Sequence, residues 1–210
     1  MKKFLILLLI GISIYCCSST KIEEKEIKYF NENNIEISKS EFKKLNTNSK
    51  FLGLTIDSTN HKKLILRENY GSISNRAALE ELLENVANRE LESSKPLVII
   101  YYPGKDKCNS AGGFTDKSWV KNWRIELEEG LNRVANVKPI YIFKKKEGLE
   151  SHRDVIELRK DPENIVERLF FKDHYPCGSF VVISEDGDYV SYLGEYPKSF
   201  VWAAAKMMIK

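Results

Sequence analysis

The sequence has little net charge and almost no long apolar segments. It holds 33 Lys and Arg against 30 Asp and Glu, a formal charge of +3, which falls to about +1 without Lys2 and Lys3. A chain so close to neutral lacks the basic footprint of a nucleic-acid binder, so no nucleic-acid partner is expected. Only residues 4–15 are apolar enough to meet a membrane, which excludes a multi-span membrane protein.

Several motifs of catalysis and cofactor binding are also missing. Gly112 and Gly113 are not followed by the Lys-Ser/Thr of a phosphate-binding loop, and no Ser-His-Asp spacing can be argued. His61 and His152 have no partners in the sequence, so they are expected on the surface. The sequence therefore predicts no cofactor.

The N-terminus carries the strongest signal of location. Lys2 and Lys3 precede the twelve-residue apolar stretch, which is too short to span a bilayer comfortably but suits a signal peptide. Cys16 and Cys17 follow at once, and then come polar residues. This pattern resembles a bacterial lipoprotein signal, in which the cysteine after the cleavage point is lipidated. Residues 1–17 form the signal and lipidation region, and residues 18–27 a flexible tether.

Cys17 is the favoured lipidation site because the residue before it, Cys16, is small. Cys16 is the alternative, but it follows the bulky Tyr15. A plain secretory signal or an uncleaved anchor remains open. All these readings place the folded part in the bacterial cell envelope, on the extracytoplasmic side of a membrane and in an oxidising compartment. The expected partners are the membrane, through the lipid anchor, and as a candidate another envelope protein.

Residues 28–61 read as a short extension of strands and turns. The pattern around residues 29–37 predicts a hairpin with its turn at residues 31–34, and residues 40–45 predict one or two helical turns. Residues 51–56 and 64–66 are strand-like and are separated by a polar turn at residues 57–60.

From residue 62 onwards the elements become regular. Spacing and caps predict helices over residues 74–92, 116–135, 150–171 and 197–209, the third broken or kinked at Asp161-Pro162. Apolar runs predict buried strands over residues 97–102, 139–143, 178–184 and 189–193, with a tight turn at Asp186-Gly187. The second helix is expected to bury one face, formed by Trp119, Trp123, Leu127 and Leu131.

This order of elements resembles the thioredoxin-like domain and covers residues 62–210. Cys108 follows the first central strand, where the family carries its active-site motif, and Tyr175-Pro176 precedes the final hairpin, where the family has a cis-proline. The resemblance implies an α/β three-layer sandwich with a mixed central sheet, here preceded by a short β-rich segment. Another α/β domain with a mixed sheet is the alternative.

The active-site segment departs from the family. The four residues from Cys108 read Cys-Asn-Ser-Ala, so Ala111 stands where the second cysteine would be. Gly112 and Gly113 disfavour early helix entry, and Thr115 is expected to cap the helix instead, which leaves Cys108 in a loop without helix-dipole activation. The segment also resembles peroxiredoxins, but Lys105 occupies their Thr or Ser position, which argues against peroxidase activity.

Lipidation at Cys17 leaves Cys108 and Cys177 as an even pair in an oxidising compartment, which suggests a disulfide. In the family, the proline loop faces the active-site loop, and this resemblance implies that Cys177 lies near Cys108. A bridge closing about 70 residues contributes about 4 kcal/mol in the chain-entropy model. The bridge is either a structural staple or a redox-active pair.

The sequence thus favours a cell-envelope lipoprotein with a degenerate, non-catalytic thioredoxin-like domain for binding or scaffolding. The alternative is a thiol–disulfide oxidoreductase in which Cys108 attacks, Cys177 resolves and Pro176 shapes the substrate groove. A lesser alternative is copper or zinc handling through Cys108, His174 and Cys177, whose His-x-x-Cys spacing suits soft metals.

Overall fold

The computed structural model describes residues 26–56, 60–105, 116–175 and 177–209. Several predicted features lie outside these residues. They are the lipidation sites Cys16 and Cys17, the turn over residues 57–60 apart from Asn60, the segment with Cys108 and Thr115, and Pro176. The Tyr175-Pro176 peptide bond therefore stays a prediction. No helix within the described ranges combines the length and apolar character needed to cross a membrane.

A small mixed sheet comes first, in the strand order β2-β1-β4-β3. Its elements are β1 (Tyr29–Phe30), β2 (Glu36–Ile37), helix α1 (Lys39–Asn46), β3 (Phe51–Thr55) and β4 (Lys62–Leu66). The predicted hairpin is confirmed: β1 and β2 are antiparallel, and the Asn31 side chain accepts the N–H groups of Asn33 and Ile35 in the turn. Phe42, Phe51 and Leu64 form the core of this sheet.

The chain changes sheets at Arg67. β4 pairs with β3 and β1, so the strand at the start of the predicted thioredoxin-like region belongs to the small sheet. The backbone of Arg67 bonds to Lys50 on one side and to Leu193 on the other. Its guanidinium also donates to the carbonyl groups of Leu193 and Glu195, which ties the two sheets together.

The larger sheet has six strands in the order β5-β10-β9-β6-β7-β8. The strands β6, β7 and β8 run parallel, whereas β9, β10 and β5 add antiparallel pairs. The predicted mixed α/β architecture is thus confirmed. The strands are β5 (Glu68–Ser72), β6 (Leu97–Tyr102), β7 (Ile140–Phe143), β8 (Leu158–Lys160), β9 (Ser179–Ile183) and β10 (Asp188–Tyr192).

Helices cover both faces of this sheet because the central strands are apolar on both sides. Along β6, Leu97, Ile99 and Tyr101 face one core and Val98 and Ile100 face the other. Helices α2 (Arg76–Ala87) and α4 (Ile165–Phe170) contribute to the first core. Helices α3 (Lys117–Ala135) and α5 (Lys198–Met207) contribute to the second.

Three predicted helix boundaries are wrong, and capping explains them. The Asn75 side chain, not Ser74, accepts the Ala78 N–H at the start of α2. The same helix ends at Ala87 rather than near Glu92, because Asn88 adopts a left-handed conformation with φ of 51°. Helix α3 begins one residue later than predicted, with Asp116 as its N-cap.

The long helix predicted over residues 150–171 is wrong before Asp161, whereas the predicted break at Asp161-Pro162 is confirmed. The segment holds a 3-10 turn (Glu150–His152), strand β8, a second 3-10 turn (Pro162–Asn164) and only then α4. Both carboxylate oxygens of Asp161 accept backbone N–H groups, from Val166 and Glu167, which anchors the new helix start. Pairing of β8 with β7 outweighs the helical periodicity of the intervening residues.

The buried face predicted for α3 is correct only in its C-terminal part. Leu127 and Leu131 are fully buried, but Trp119 is 58% exposed. Trp123 is half-buried and meets the Tyr196 ring edge-on, with 6.2 Å between the ring centroids. In the first turn of α3, Val120 rather than Trp119 is buried in the second core.

Candidate functional site

Of the residues singled out by sequence, Cys177 lies at the end of the larger sheet where β6 ends. Tyr101 near the carboxyl end of β6 is paired with Ser179 at the amino end of β9, and Tyr192 of β10 is paired with Phe180. Cys177, two residues before β9, consequently lies at the end of the sheet where β6 leads into the segment that carries Cys108.

Cys177 is half-buried and disulfide-bonded. The chain has four cysteines, and the other three, Cys16, Cys17 and Cys108, lie outside the described residues. The pairing with Cys108 therefore stays a prediction. The backbone of Cys177 has φ of 80°, in the left-handed region that non-glycine residues rarely adopt.

A carboxylate lies close to this sulfur. Oε1 of the exposed Glu195 lies 3.5 Å from Sγ of Cys177. A disulfide sulfur has no proton to donate, so this contact places negative charge beside the bond. Reactive cysteines sit in electropositive surroundings that stabilise the thiolate. A carboxylate at this distance disfavours the thiolate instead.

The loop that presents Glu195 is shaped by Gly194. This residue has φ of 77°, and a Cβ added to it would lie 2.3 Å from Cε1 of Tyr175. Its N–H donates to Oγ of the buried Ser179 at 3.1 Å. Glycine is required here by both backbone conformation and close approach, and the fixed loop holds Glu195 against Cys177.

Aromatic side chains form the floor beneath this end of the sheet. Burial holds the pKa values of the Tyr102 and Tyr196 hydroxyls well above their ordinary range, so both remain protonated at neutral pH. The Tyr196 ring packs edge-on against Phe180 at 4.7 Å between centroids. An ideal Cβ on Gly178 would lie 3.5 Å from the Tyr102 ring. The floor is thus built of aromatic rings in contact with one another and with the backbone before β9.

The two histidines expected on the surface are both half-buried, so that prediction is wrong. His152 packs edge-on against Tyr102, with 4.9 Å between ring centroids, and burial lowers its pKa below the ordinary 6.5. His61 lies in the small sheet, where its Nδ1 accepts the Lys28 N–H at 3.2 Å. Neither position was evident from sequence, because the contacts with Tyr102 and Lys28 join distant segments.

The described residues hold only part of the predicted metal-ligand set. His174 is exposed and Cys177 half-buried, whereas Cys108 lies outside them. Within residues 26–56, 60–105, 116–175 and 177–209, no three His, Cys, Asp or Glu side chains cluster as metal ligands would.

Sequence reasoning missed Glu195 and the Tyr102–His152 contact. Glu195 follows a strand and a glycine, a setting shared by many surface residues, so no local pattern marks it. Comparison with known proteins does not assign a family: no protein-family model matches the sequence, and no curated protein matches it.

Proposed function

We propose that this protein is a bacterial cell-envelope lipoprotein, anchored through Cys17, whose thioredoxin-like domain binds or scaffolds without catalysing thiol exchange. The Cys108–Cys177 disulfide is a structural staple between two loops at one end of the sheet. The partners are the membrane and another envelope protein.

The strand arrangement supports the thioredoxin-like assignment. Strands β7, β6, β9 and β10 are adjacent in this order, with β6 and β7 parallel and the other two pairs antiparallel. Helix α3 joins β6 to β7, α4 precedes β9, and α5 follows β10. This is the succession that the sequence resemblance implies around the position of Cys108.

The contact between Glu195 and Cys177 is the observation that favours a staple. A redox-active sulfur must carry negative charge as a thiolate during exchange, and the carboxylate 3.5 Å away opposes that charge. A bridge that closes about 70 residues contributes about 4 kcal/mol in the chain-entropy model. This geometry therefore favours a disulfide that stabilises the fold over one that reacts with other thiols.

The reduction potential of the purified full-length chain tests the proposal. We expect a value below about −300 mV, in the range of structural disulfides. Cys177→Ser should lower the free energy of unfolding by about 2–5 kcal/mol under oxidising conditions. Under reducing conditions, Cys177→Ser and the parent chain should be equally stable. A potential near those of disulfide oxidoreductases, with no loss of stability, would overturn the staple.

The oxidoreductase alternative is favoured by one feature, the half-buried position of Cys177 at the sheet end rather than in either core. In that case Cys108 attacks the substrate disulfide, Cys177 resolves the mixed disulfide, and Pro176 shapes the groove. Cys177→Ser would then trap mixed disulfides with substrate proteins on Cys108. Copper or zinc handling requires the reduced form, because a disulfide sulfur is not a thiolate ligand.

The anchor has its own test. The intact mass of the membrane-extracted protein should correspond to an acylated chain that begins at Cys17. A chain acylated at Cys16 would move the site by one residue, and a soluble, unmodified mature form would remove the lipoprotein assignment.

A further inference from the structure

A cavity of about 440 Å³ lies at the carboxyl ends of β7 and β8, at the same edge of the larger sheet as Cys177 but toward the β8 side. Phe143 and Lys160, the last residues of these paired strands, both line it. The segment between the strands closes over one side, and helix α2 contributes Val86. The carboxyl ends of strands are the edge of an open α/β sheet outside which ligands bind, and this cavity lies at that edge.

The cavity has an apolar floor and a cationic rim. The floor is formed by Val86, Phe143, Leu149, Ile156 and Leu158, of which Leu149 and Ile156 are buried. The rim carries four cations, Lys146, Arg153, Arg159 and Lys160, and one carboxylate, Asp154. Asp154 lies 3.4 Å from Nζ of Lys117, so its charge is partly compensated from outside the cavity.

Two of the four cations already have carboxylate neighbours. Arg159 pairs with Glu157, and Arg153 acts electrostatically on Glu150. Lys146 and Lys160 are exposed and make no ion pair with any described residue. These two ammonium groups supply the uncompensated positive charge at the mouth of the cavity.

We propose that this cavity binds a small amphiphilic anion, a phosphate or carboxylate group on a short apolar chain. The cationic rim takes the acidic group, and the apolar floor removes the chain from water. A volume of about 440 Å³ lies within the range of small-molecule sites, and a bare phosphate would leave the floor unfilled. The inference rests on the proposed binding role and deepens it by naming a ligand class.

Calorimetric titration of the full-length chain in phosphatidylcholine nanodiscs tests this inference, with hexyl phosphate as the probe. Empty nanodiscs correct for partition of the probe into lipid. We expect hexyl phosphate to bind about tenfold more tightly than inorganic phosphate or hexanol, because only hexyl phosphate uses both rim and floor. No heat above that of empty nanodiscs, or equal affinity for inorganic phosphate, would overturn the proposal.

Two variants in the cavity and one control variant outside it assign the binding to the cavity. Lys146→Glu combined with Lys160→Glu should weaken hexyl phosphate at least about tenfold, because reversing two nearby charges repels the anion. Lys39→Glu with Lys121→Glu makes the same change in net charge at exposed positions outside the cavity and should leave affinity within about twofold. Val86→Phe should reduce affinity by filling the floor. Equal weakening by both charge pairs, or unaltered binding in Val86→Phe, would contradict the site.

Nanodiscs that contain phosphatidylglycerol identify the source of the ligand. If a membrane lipid occupies the cavity, these nanodiscs will compete with hexyl phosphate, whereas a soluble organic acid leaves the titration unchanged. Either result supports the site. Failure of the ligand-binding proposal can be distinguished from failure of the structural-disulfide proposal, because the reduction potential of the Cys177 disulfide is measured without hexyl phosphate.

Discussion

The indole ring of Trp202 on α5 lies directly over Gly130 on α3. A Cβ added to Gly130 would come within 2.2 Å of the ring, and the indole Nε1–H donates to the Leu127 carbonyl at 3.1 Å. The hydrogen bond fixes the ring, so it cannot move aside without loss. Gly130 is thus a point where the absence of a side chain on α3 lets a side chain of α5 pack against the helix.

Gly130→Ala should therefore destabilise the protein, although alanine is the better helix former. Relief of the clash requires movement of a half-buried tryptophan, and overpacking of this kind outweighs the helix-propensity gain of about 1 kcal/mol. The expected loss in the free energy of unfolding is about 1–2 kcal/mol, measured by urea denaturation. In a Trp202→Leu background the same substitution should become neutral or stabilising. Destabilisation of equal size in both backgrounds would show that the ring is not the cause.

A buried ion pair stabilises the start of α2. Arg76 and Glu80 are 7% and 8% exposed at their side chains, and their Nη2 and Oε1 atoms are 2.7 Å apart. Glu80 also accepts the hydroxyl of Ser93, and Arg76 donates to the Lys95 carbonyl. Glu80→Ala should cost about 3–5 kcal/mol in thermal or urea unfolding, because it leaves a buried guanidinium charge uncompensated.

An exposed pair provides the matched control for Glu80. Lys28 and Glu36 lie 3.0 Å apart at 49% and 56% exposure, so Lys28→Ala should cost less than about 1 kcal/mol. The double variant Arg76→Met with Glu80→Leu should recover most of the stability lost in Glu80→Ala, because it removes both charges together. A double variant as unstable as the single one would mean that the loss comes from packing.

Local chemistry explains which elements the sequence predicted well. The turn at Asn31 and the turn at Asp186-Gly187 are encoded by side chains that favour their backbone conformations, and Gly187 has φ of 91°. The run of residues in β6 was predicted to its last residue, because a continuous β-branched and aromatic stretch has no competing helical reading.

Long-range contacts explain what the sequence could not predict. Residues 158–160 lie within a stretch whose sequence pattern is helical, but they form a strand because they pair with β7. Trp119 has the spacing of a buried residue, yet it is 58% exposed, because tertiary packing turns its neighbour Val120 into the second core instead. The contact between Glu195 and Cys177 depends on the close approach of Gly194 to Tyr175, which no pattern of residue types encodes.

His152 should make the protein less stable as the pH is lowered. Burial lowers its pKa below the ordinary 6.5, so between these two values the unfolded chain binds a proton that the folded chain does not. The free energy of unfolding should therefore decline as pH falls below 6.5, until the folded-state pKa is reached. His152→Gln should flatten this decline, measured by urea denaturation at several pH values. At pH 8 the difference between variant and parent gives the packing effect alone, and an unchanged slope would contradict the prediction.

Glu195→Gln should make the Cys177 disulfide easier to attack by an anionic thiol. The carboxylate 3.5 Å from Sγ repels an incoming thiolate, most strongly one with a second negative charge. The rate of reduction by 3-mercaptopropionate should rise about threefold in this variant, in proportion to the modest energy of exposed charge pairs. The rate with cysteamine, whose ammonium group offsets its thiolate, should rise less.

Two comparisons isolate the charge effect at Glu195. Glu185→Gln removes another exposed carboxylate, beyond the opposite end of the sheet at the turn between β9 and β10, and should leave both rates unchanged. In 1 M salt the acceleration with 3-mercaptopropionate should shrink, because the screening length falls to about 3 Å. If both thiols reacted at parental rates with Glu195→Gln at low salt, the carboxylate would have no influence on the disulfide, and the electrostatic argument for a structural staple would fail.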